Sequence, residues 1–508
     1  MSVDDNTPSA GDNSPVQDFY RDCGVLVTGG TGFLGKLVIE KILRCCPAAR
    51  TVYVLIRPKK GVSAEDRRKA LMDNEVFERM KSEQPDWQSR LVFVSGDCSQ
   101  PRLGLSDTDY HHLTQHVNIV LHLAATVRFD ETLKVAIAIN VKGTEEFIRL
   151  CRDCVHLKSA VYVSTAYSNC IHRVVREEIY SPPMALDHLF MLMDRFTERE
   201  IALLLPKITG GWPNTYTFSK AMSENLISTQ ARDLPVAIVR PSMVISAVAE
   251  PIPGWLENVY GPIGIALGGG TGVLHVCFAD EEKVLDTVPA DMVSNCIIAA
   301  AFATGEREEG GIDVYNISMA KNGTDTLRQE IENLKPAIAK FPFNTSIWYP
   351  VYFFTSNYCI YMVLAFLLHF LPGLLLDFGL RWKGKPPMML RIYRKLQKVA
   401  MITNYFSLKE WKFVDDNTRH LYEKLENRDK KIFYFDTQQR IDLQYSFDSV
   451  LGARKYLLNE SLDTLKNARS RFHRFYLANT ALKIIWYSMV LWITFGLLKF
   501  MVKFLNNF

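Results

Sequence analysis

Short apolar runs alternate with longer amphipathic stretches along the first half of the chain. The runs are rich in Val and Ile, which favour strands, and the stretches between them repeat apolar residues at helical spacing. The strand-like runs are VLV at 25–27, TVYVLI at 51–56, RLVFVS at 90–95, NIVLHLA at 118–124, SAVYVS at 159–164 and VAIVR at 236–240. This alternation predicts βαβ units in a doubly wound parallel α/β sheet, within a body that spans 18–320.

Residues 1–17 differ from this body because they are rich in Ser, Asp, Asn and Pro and lack apolar periodicity. We expect that stretch to be disordered. Residues 321–480 read as a helical C-terminal region.

The first strongly apolar segment of the second half is 347–376, which contains no Asp, Glu, Lys or Arg and is long enough to span a bilayer. Pro350, Pro372 and Gly373 interrupt it. Three interpretations stay open: a membrane span, a re-entrant or interfacial element, and the buried wall of a lipid tunnel. Cations without any acid among them follow it, as expected beside anionic headgroups: Arg381, Lys383, Lys385, Arg391, Arg394, Lys395 and Lys398.

The second apolar segment lies near the C-terminus, at 484–502. Its core, IIWYSMVLWITFGLL, is short, but flanking lysines can extend it by snorkelling, which predicts a membrane anchor. The alternative is an apolar docking helix. Because Arg469, Arg471 and Arg474 outnumber the cations that follow the segment, we expect the main body to face the cytosol.

Composition narrows the class of protein. The 508 residues carry a net charge of +4, so no nucleic-acid partner is indicated. The start lacks a signal peptide, and the ten cysteines form no disulfide pattern, so we expect reduced thiols. Neither the Cys151–Cys154 pair nor the nearby histidines at 111, 112 and 116 have partners at metal-ligand spacing, and no metal is predicted. No pattern indicates an oligomeric state.

The first strand-to-helix turn holds the strongest local signal. In GVLVTGGTGFLGKLV, residues Gly29, Gly32 and Gly35 follow an apolar strand and open a helix. Glycine allows a sharp turn and a close approach of backbone to pyrophosphate, and the helix N-terminus offers free N–H groups to its charge. The turn therefore predicts a Rossmann-like dinucleotide site.

The end of the second strand indicates which dinucleotide binds. NAD-binding folds place an acid there for the ribose hydroxyls, whereas an arginine can accept a 2′-phosphate. Here Arg57, Lys59 and Lys60 stand without an acid, which favours NADP(H), although a solvated basic loop would look the same. Asp97, after the third strand, is placed for an adenine contact or for a turn.

Tyr216 and Lys220, in TYTFSKAMSENL, lie four residues apart and so on one helical face. Alone, such a pair is common on surface helices. Ser164 and Thr165, however, follow the fifth strand at the sheet edge where ligands bind, and a hydroxyl there can contact a carbonyl. Tyr216 can donate a proton to the developing oxyanion, and the Lys220 ammonium can stabilise the tyrosinate.

These motifs resemble the extended short-chain dehydrogenase/reductase superfamily, and TGGTGFLGKLVIEKILR, VSTAYSN, YTFSK and VRPSMV look like its fatty acyl-CoA reductase branch. PIPGWLENVYGP at 251–262, KVLDTVPADMV and the C-terminal region extend the likeness to the end of the chain. The resemblance implies Thr165, or else Ser164, as carbonyl partner of Tyr216 and Lys220, with Asn140 orienting the lysine. It also implies cofactor contacts from Thr28, Gly29, Gly30, Thr31, Gly32, Phe33, Leu34, Gly35, Arg57, Asp97, Ala124, Tyr216, Lys220, Pro241 and Ser242.

The chemistry implied by this resemblance is a reduction of long-chain acyl-CoA by NADPH, through an aldehyde, to a fatty alcohol of the kind found in wax esters and ether lipids. An enzyme held at a membrane meets such substrates where they accumulate. The endoplasmic reticulum is the expected membrane, with the peroxisomal membrane as alternative. Rival interpretations are a membrane-bound hydroxysteroid dehydrogenase, a sugar-nucleotide epimerase, and a scaffold that binds nucleotide without catalysis.

Overall fold

A parallel sheet forms the centre of the protein in the computed structural model, which describes residues 14–58, 61–259, 261–308, 310–319 and 325–505. Within these residues the sheet has seven strands in the order β11-β7-β5-β4-β1-β2-β3. Shorter strands pair in parallel as β10 with β8, β12 with β9, and β13 with β6. The strands are β1 Gly24–Thr28, β2 Thr51–Ile56, β3 Leu91–Ser95, β4 Ile119–His122, β5 Ser159–Val163, β6 Val174–Val175, β7 Val236–Pro241, β8 Met243–Ile245, β9 Val276–Phe278, β10 Thr287–Pro289, β11 Ile312–Ile317, β12 Phe353–Thr355 and β13 Lys412–Phe413.

Helices cover both faces of the central sheet. The helices are α1 Pro15–Phe19, α2 Phe33–Cys45, α3 Ala64–Met72, α4 Glu78–Glu83, α5 Asp107–His116, α6 Leu133–Ala136, α7 Gly143–Asp153, α8 Leu186–Arg195, α9 Glu198–Thr209, α10 Thr215–Gln230, α11 Pro262–Gly270, α12 Ala290–Gly305, α13 Leu327–Lys340, α14 Tyr358–Ala365, α15 Leu371–Trp382, α16 Met389–Ser407, α17 Asp416–Lys424, α18 Asn427–Ile432, α19 Gln444–Gly452 and α20 Leu465–Leu505. The predicted doubly wound α/β fold with a helical C-terminal region is confirmed.

Side-chain alternation along each strand explains the two layers. In β1, Val25 and Val27 pack with α2 and α12 on one face, whereas Leu26 packs with α7 and α10 on the other. Both faces are buried, so the central strands are apolar at consecutive positions, as the sequence shows. The edge strand β11 completes the sheet beyond the six runs recognised in the sequence.

The N-terminal end of the described chain corrects one expectation. Residues 14–17 belong to the stretch predicted to be disordered, but α1 begins at Pro15 and Ser14 caps it. The Ser14 side chain accepts a hydrogen bond from Gln17 N, and the Gln17 side chain accepts one from Ser14 N. This capping box, with proline at the first helical position, outweighs the polar composition. Residues 1–13 lie outside the described part.

A partly buried carboxylate contributes to the junction between the C-terminal region and the sheet. Glu177 accepts hydrogen bonds from the N–H groups of Asn316 (2.8 Å), Asn417 (2.5 Å) and Thr418 (3.1 Å), and from the Thr418 hydroxyl (3.0 Å). Asn316 lies in edge strand β11, and the other two residues begin α17. Burial raises the pKa of Glu177 to about 6, while these hydrogen bonds act in the opposite direction. Glu177 thus joins β11 to α17, alongside direct hydrogen bonds from the side chains of Asn417 and Thr418 to carbonyl oxygens of β11.

The two apolar segments are both helical, with limits that differ from the predicted ones. The first helix runs from Tyr358 to Trp382 through a π-helical turn at Phe366–Phe370, and β12 precedes it. Residues 347–357 of the predicted segment are therefore not helical. The second, α20, begins well before 484, at Leu465, and ends shortly after 502, at Leu505. Both helices are long and apolar enough to cross a membrane by length and composition.

Replacing Glu177 by glutamine tests the junction between β11 and α17. The carboxylate of Glu177 now accepts hydrogen bonds from backbone N–H groups, whereas the NH2 group of a glutamine cannot accept them. We therefore expect the free energy of unfolding to fall by about 1 to 3 kcal/mol. Thermal unfolding and limited proteolysis of the purified protein would measure it. The exposed neighbour offers a matched control, Glu178→Gln, which should leave the transition unchanged. Equal stability of both variants would contradict this role for Glu177.

Candidate active site

The glycine turn is shaped by contacts that no side chain could share. Gly29 has φ +72°, and a Cβ there would lie 2.7 Å from the backbone nitrogen of Ala124. A Cβ on Gly35 would lie 2.3 Å from the Gly29 carbonyl oxygen. Gly32 is the N-cap of α2 and supplies no side-chain cap, so the first N–H groups of the helix can meet an anion. The turn therefore fits a pyrophosphate.

The other residues of the turn fix its position. The Thr28 hydroxyl bridges two strands, because it lies 2.9 Å from Nδ1 of His122 and accepts a hydrogen bond from Ala124 N at 3.3 Å. Phe33 stacks on Trp255, with ring centroids 5.1 Å apart. Gly30, Thr31 and Leu34 complete the turn. Trp255 belongs to the segment PIPGWLENVYGP at 251–262, and its PGWLENV part packs against the nucleotide turn. Tyr260 of the longer segment lies outside the described residues.

Two guanidinium groups lie beside the turn, where a ribose is expected. Arg57 follows β2 and is largely exposed, with Nε 4.0 Å from a carboxylate oxygen of Asp97. Arg67 of α3 donates to the hydroxyl of Thr31 at 2.9 Å and to the Arg57 carbonyl oxygen. Burial, and then the charge of Arg57, lower the pKa of Arg67. The two cations therefore lie near each other at the end of β2, where an anion would be attracted. Lys59 and Lys60 lie outside the described residues.

Asp97 itself is engaged in a turn. One of its carboxylate oxygens accepts hydrogen bonds from Ser99 N at 2.9 Å and from the Ser99 hydroxyl at 2.8 Å. Its position after β3 is the one that the sequence indicated, and its other oxygen faces Arg57.

Tyr216 and Lys220 lie in the first part of α10, which begins after the N-cap Asn214. The Lys220 side chain is buried; its ammonium donates to the Val163 carbonyl oxygen at 2.7 Å and to the Tyr162 hydroxyl at 3.1 Å. Burial lowers the pKa of Lys220 to about 7, and Glu224 acts in the opposite direction. The partly accessible Tyr216 has its pKa raised to about 12 by burial, against a hydrogen bond with Thr165.

Ser164 and Thr165 follow β5 but turn to different partners. Thr165 reaches Tyr216, whereas the Ser164 hydroxyl donates to Oε1 of Glu224. Thr165 is also the N-cap of the short helical turn after β5, since its hydroxyl accepts a hydrogen bond from Tyr167 N at 3.2 Å. Of the two hydroxyls, that of Thr165 is thus the one beside the phenol.

Glu224 is a buried carboxylate that the sequence analysis did not single out. Besides Ser164 it accepts hydrogen bonds from Ser168 (2.9 Å), from Asn169 (3.3 Å) and, through both oxygens, from Arg240 (2.9 and 2.7 Å). Arg240 is fully buried and also donates to carbonyl oxygens of the loop after β6. The available signal was a glutamate one turn after Lys220 and an arginine before Pro241.

Asn140 supports the same helix without touching Lys220. It lies in a π-helical turn at Ile137–Lys142, a feature that is frequent at functional sites. Its side-chain amide donates a hydrogen bond to the Ser219 hydroxyl at 2.8 Å and accepts one from Thr126 N at 2.9 Å. Its backbone carbonyl oxygen accepts a hydrogen bond from the Ser223 hydroxyl at 2.8 Å. Asn140 therefore holds residues on either side of Lys220. Pro241 ends β7 and Ser242 follows it, at the same sheet edge as Thr165.

Aromatic side chains cover Tyr216 on its open side. Phe129 stacks on the Tyr216 ring, with centroids 5.8 Å apart, and Phe406 from the end of α16 lies 5.4 Å from Phe129. Asp130 forms an ion pair with Lys398 of α16 at 2.6 Å. No local pattern predicts these contacts, because the partners lie far apart in the chain. The C-terminal region thus contributes an aromatic wall to the site.

Together these groups can reduce a carbonyl. The glycine turn can hold the pyrophosphate of a nicotinamide cofactor, Thr165 and Tyr216 can bind a carbonyl oxygen, and Lys220 lies one turn away. In the part of the chain that the structure describes, no group of three or more His, Cys, Asp or Glu is arranged to hold a metal ion.

Replacing Glu224 by glutamine should alter the pH dependence of the reduction. The titratable groups around the Lys220 ammonium are Tyr162 from β5, His122 from β4 and Glu224 from α10. Of these, Glu224 favours the charged amine. Without it the lysine loses its proton at lower pH, so the alkaline limb of kcat/KM should move to lower pH.

The matched control for this variant is Asp291→Asn, which alters an equally buried carboxylate that binds three backbone N–H groups far from Lys220. It should lower the thermal stability and leave the pH profile unchanged. If the alkaline limb of the Glu224→Gln variant does not shift, Glu224 does not stabilise the charged form of Lys220.

Comparisons with known proteins agree with this geometry. Two family models, both described as male sterility protein, match residues 27–297 and 368–460, and the first is an NAD-binding model. Among solved structures, the terminal R domain from the myxalamid PKS-NRPS pathway superposes with a TM-score of 0.57 at 20% identity, over 85% of this chain and 90% of that one. A reductase domain of a nonribosomal peptide synthetase from Mycobacterium tuberculosis gives 0.57 and 20%, over 87% and 95%. At such identities the structures establish the fold alone.

Curated relatives are closer in sequence. Fatty acyl-CoA reductase wat of Drosophila melanogaster is 40% identical over 489 residues, which is 96% of this chain and 94% of that protein. Fatty acyl-CoA reductase 1 of Xenopus laevis is 34% identical over 461 residues, or 90% and 89% of the two chains. The family suggested by the sequence motifs is confirmed: the chain belongs to the fatty acyl-CoA reductase family.

Proposed function

We propose that this protein reduces long-chain fatty acyl-CoA with NADPH to a primary alcohol, through an aldehyde, and releases coenzyme A. The observation that supports this most strongly is the position of Tyr216, Thr165 and Lys220 beside the glycine turn, in a chain that is 40% identical to a fatty acyl-CoA reductase over 96% of its length. The intact constellation also disfavours a scaffold without catalysis, which has no need of it.

Each half of the reaction uses the same residues. NADPH, when bound in the glycine turn, supplies one hydride to the thioester carbon and, from a second molecule, one to the aldehyde carbon. Tyr216 and Thr165 donate hydrogen bonds to the oxyanion that forms at the thioester, and its collapse breaks the carbon–sulfur bond and expels the coenzyme A thiolate. In the second half Tyr216 gives its proton to the alkoxide, and the nearby Lys220 ammonium stabilises the resulting tyrosinate.

The paired arginines favour NADPH over NADH. A 2′-phosphate at the end of β2 would lie near Arg57 and Arg67 and relieve their mutual repulsion. A ribose hydroxyl of NADH offers no such charge.

The acyl chain is proposed to run along the aromatic wall and toward a membrane. Phe129 and Phe406 border Tyr216 with apolar surface, and α16 leads from them to the basic, apolar segment around α15. With α20 as an anchor, the enzyme would meet acyl-CoA at the cytosolic face of the endoplasmic reticulum; a peroxisomal membrane is the alternative. A hydroxysteroid dehydrogenase stays as the second candidate, because it would share the turn, the Tyr/Lys pair and the apolar helices.

Product analysis of the Tyr216→Phe variant tests the activity. Membranes containing the full-length protein would be given NADPH and acyl-CoAs of different chain lengths, and aldehyde and alcohol measured by mass spectrometry. Loss of a positioned proton donor should lower the rate by about 10² to 10⁴, with NADPH binding nearly intact. If the unaltered protein binds NADPH yet forms neither product, the result would favour a hydroxysteroid dehydrogenase or a scaffold without catalysis.

Replacing Arg67 by alanine tests the cofactor preference. Loss of a charged contact to the 2′-phosphate should raise the KM for NADPH about 10- to 100-fold and leave that for NADH unchanged. Arg68→Ala, one residue along α3, is the control, since that side chain pairs with Glu65. An equal change in the KM values for NADPH and NADH would argue against a contact between Arg67 and the 2′-phosphate.

A further inference from the structure

The apolar helix from Tyr358 to Trp382 is fastened to the catalytic body along one face. At its start, β12 pairs in parallel with β9, and the Tyr361 side chain is buried against that strand. In its middle, Nε2 of His369 accepts hydrogen bonds from the backbone of His275 at 2.9 Å and of Val276 at 3.2 Å. The body therefore holds this helix over two of its turns.

A tight hairpin joins the same helix to α16. The Gly373 backbone packs so closely against Tyr393 that a Cβ would lie 2.7 Å from the ring. Both carboxylate oxygens of Asp377 accept hydrogen bonds from the first N–H groups of α16, at Met388, Met389 and Leu390, over 2.8 to 3.0 Å. α16 thus runs back alongside α15, and its cations lie beside the apolar helix.

Large apolar side chains line the opposite face of the helix and are exposed. Leu375 is 66% exposed, Phe378 70% and Trp382 87%. Exposed apolar residues continue this surface, which we call the apolar face: Phe366, Leu367, Leu371, Leu374, Leu375, Leu376, Phe378 and Trp382. A surface of this size marks an interaction site, and nothing in the described residues covers it.

The charges around the apolar face select an anionic partner. Cations follow it through the hairpin and along α16, at Arg381, Lys383, Lys385, Arg391, Arg394 and Lys395, whereas Lys398 is paired with Asp130 of the body. Asp377 is the one acid between residues 358 and 398, and it is occupied in capping α16. Apolar side chains beside a basic rim match the acyl region and the anionic headgroups of one leaflet.

We propose that residues 358–407 form a docking hairpin that lies in the plane of one leaflet and does not cross the bilayer. The apolar face enters the acyl region, and the cations meet anionic headgroups on the side of the catalytic body. Were the helix a span, the packed α16 would carry Arg391, Arg394 and Lys395 into the hydrocarbon beside it, where charged groups are costly.

This placement gives the proposed acyl substrate a short route, a consequence that rests on the proposed function. The C-terminal end of α16 borders the candidate site, where Phe406 contacts Phe129 over Tyr216. A fatty chain could stay in the acyl region while its thioester follows the helix to the catalytic hydroxyls.

Cysteine labelling tests on which side of the membrane the hairpin turn lies. In full-length protein with the exposed Cys359 changed to serine, Lys383→Cys reports the turn and Leu203→Cys, on a residue 83% exposed in α9, reports the body. In sealed membranes an impermeant maleimide should label both positions to the same extent, before and after permeabilisation. Labelling of the two positions from opposite sides would overturn the proposal.

Depth-dependent quenching tests the contact itself. An environment-sensitive fluorophore on Leu375→Cys should be quenched at least severalfold more by lipids with nitroxide-labelled acyl chains than one on Leu203→Cys, in vesicles containing phosphatidylserine. Arg391→Gln, Arg394→Gln and Lys395→Gln together should remove the dependence on phosphatidylserine. Equal quenching at Leu375 and Leu203 would overturn the proposal. Neither measurement depends on catalytic turnover. A protein that gives both expected results but shows no reductase activity would therefore contradict the proposed function and leave the docking hairpin supported.

Discussion

A buried carboxylate, Glu224, holds the elements that carry Tyr216 and Thr165 in register. Its two oxygens bind Arg240 from β7 and the hydroxyls and amide after β5, so α10, β5 and β7 meet at one charge. Breaking a buried pair of this kind leaves an uncompensated charge in a low dielectric, which is strongly unfavourable. The positions of Tyr216 and Thr165 therefore depend on an ion pair that is buried in the protein interior.

The site draws on both halves of the chain. The first half supplies the glycine turn and the hydroxyls, and the second supplies Phe406 and the brace behind the PGWLENV segment. There a Cβ on Gly254 would lie 2.0 Å from the carbonyl oxygen of Asp448, so α19 is packed directly on that segment. The C-terminal region thus packs directly against the candidate site. This arrangement fits an enzyme whose substrate has one end in water and the other in lipid.

Local patterns in the sequence predicted the parts of the site that local geometry determines. The glycine spacing and the Tyr216–Lys220 interval fix backbone and helical face within a few residues, and the strand pattern fixes the sheet edge. The contacts of Arg67, Phe129 and Phe406 were not predicted, because their partners come together only in the folded chain. Ser14 shows the reverse case, since composition suggested disorder where a capping box starts a helix.

Burial is the other property that the sequence did not reveal. Glu224 and Arg240 read as ordinary charged residues, yet both are enclosed. For residues 347–376 the sequence left three interpretations open, because length and hydropathy do not say which face is held by protein. The contacts of His369 and Asp377 supply that information and favour an interfacial element.

The most direct test of the central claim is isotope transfer from cofactor to product. The unaltered enzyme would be incubated with a long-chain acyl-CoA and NADPH that carries deuterium at both C4 positions, and the product analysed by mass spectrometry. The expected products are an alcohol with two deuterium atoms on its first carbon and free coenzyme A. An alcohol without deuterium at that carbon, or coenzyme A released without any reduced product, would contradict it.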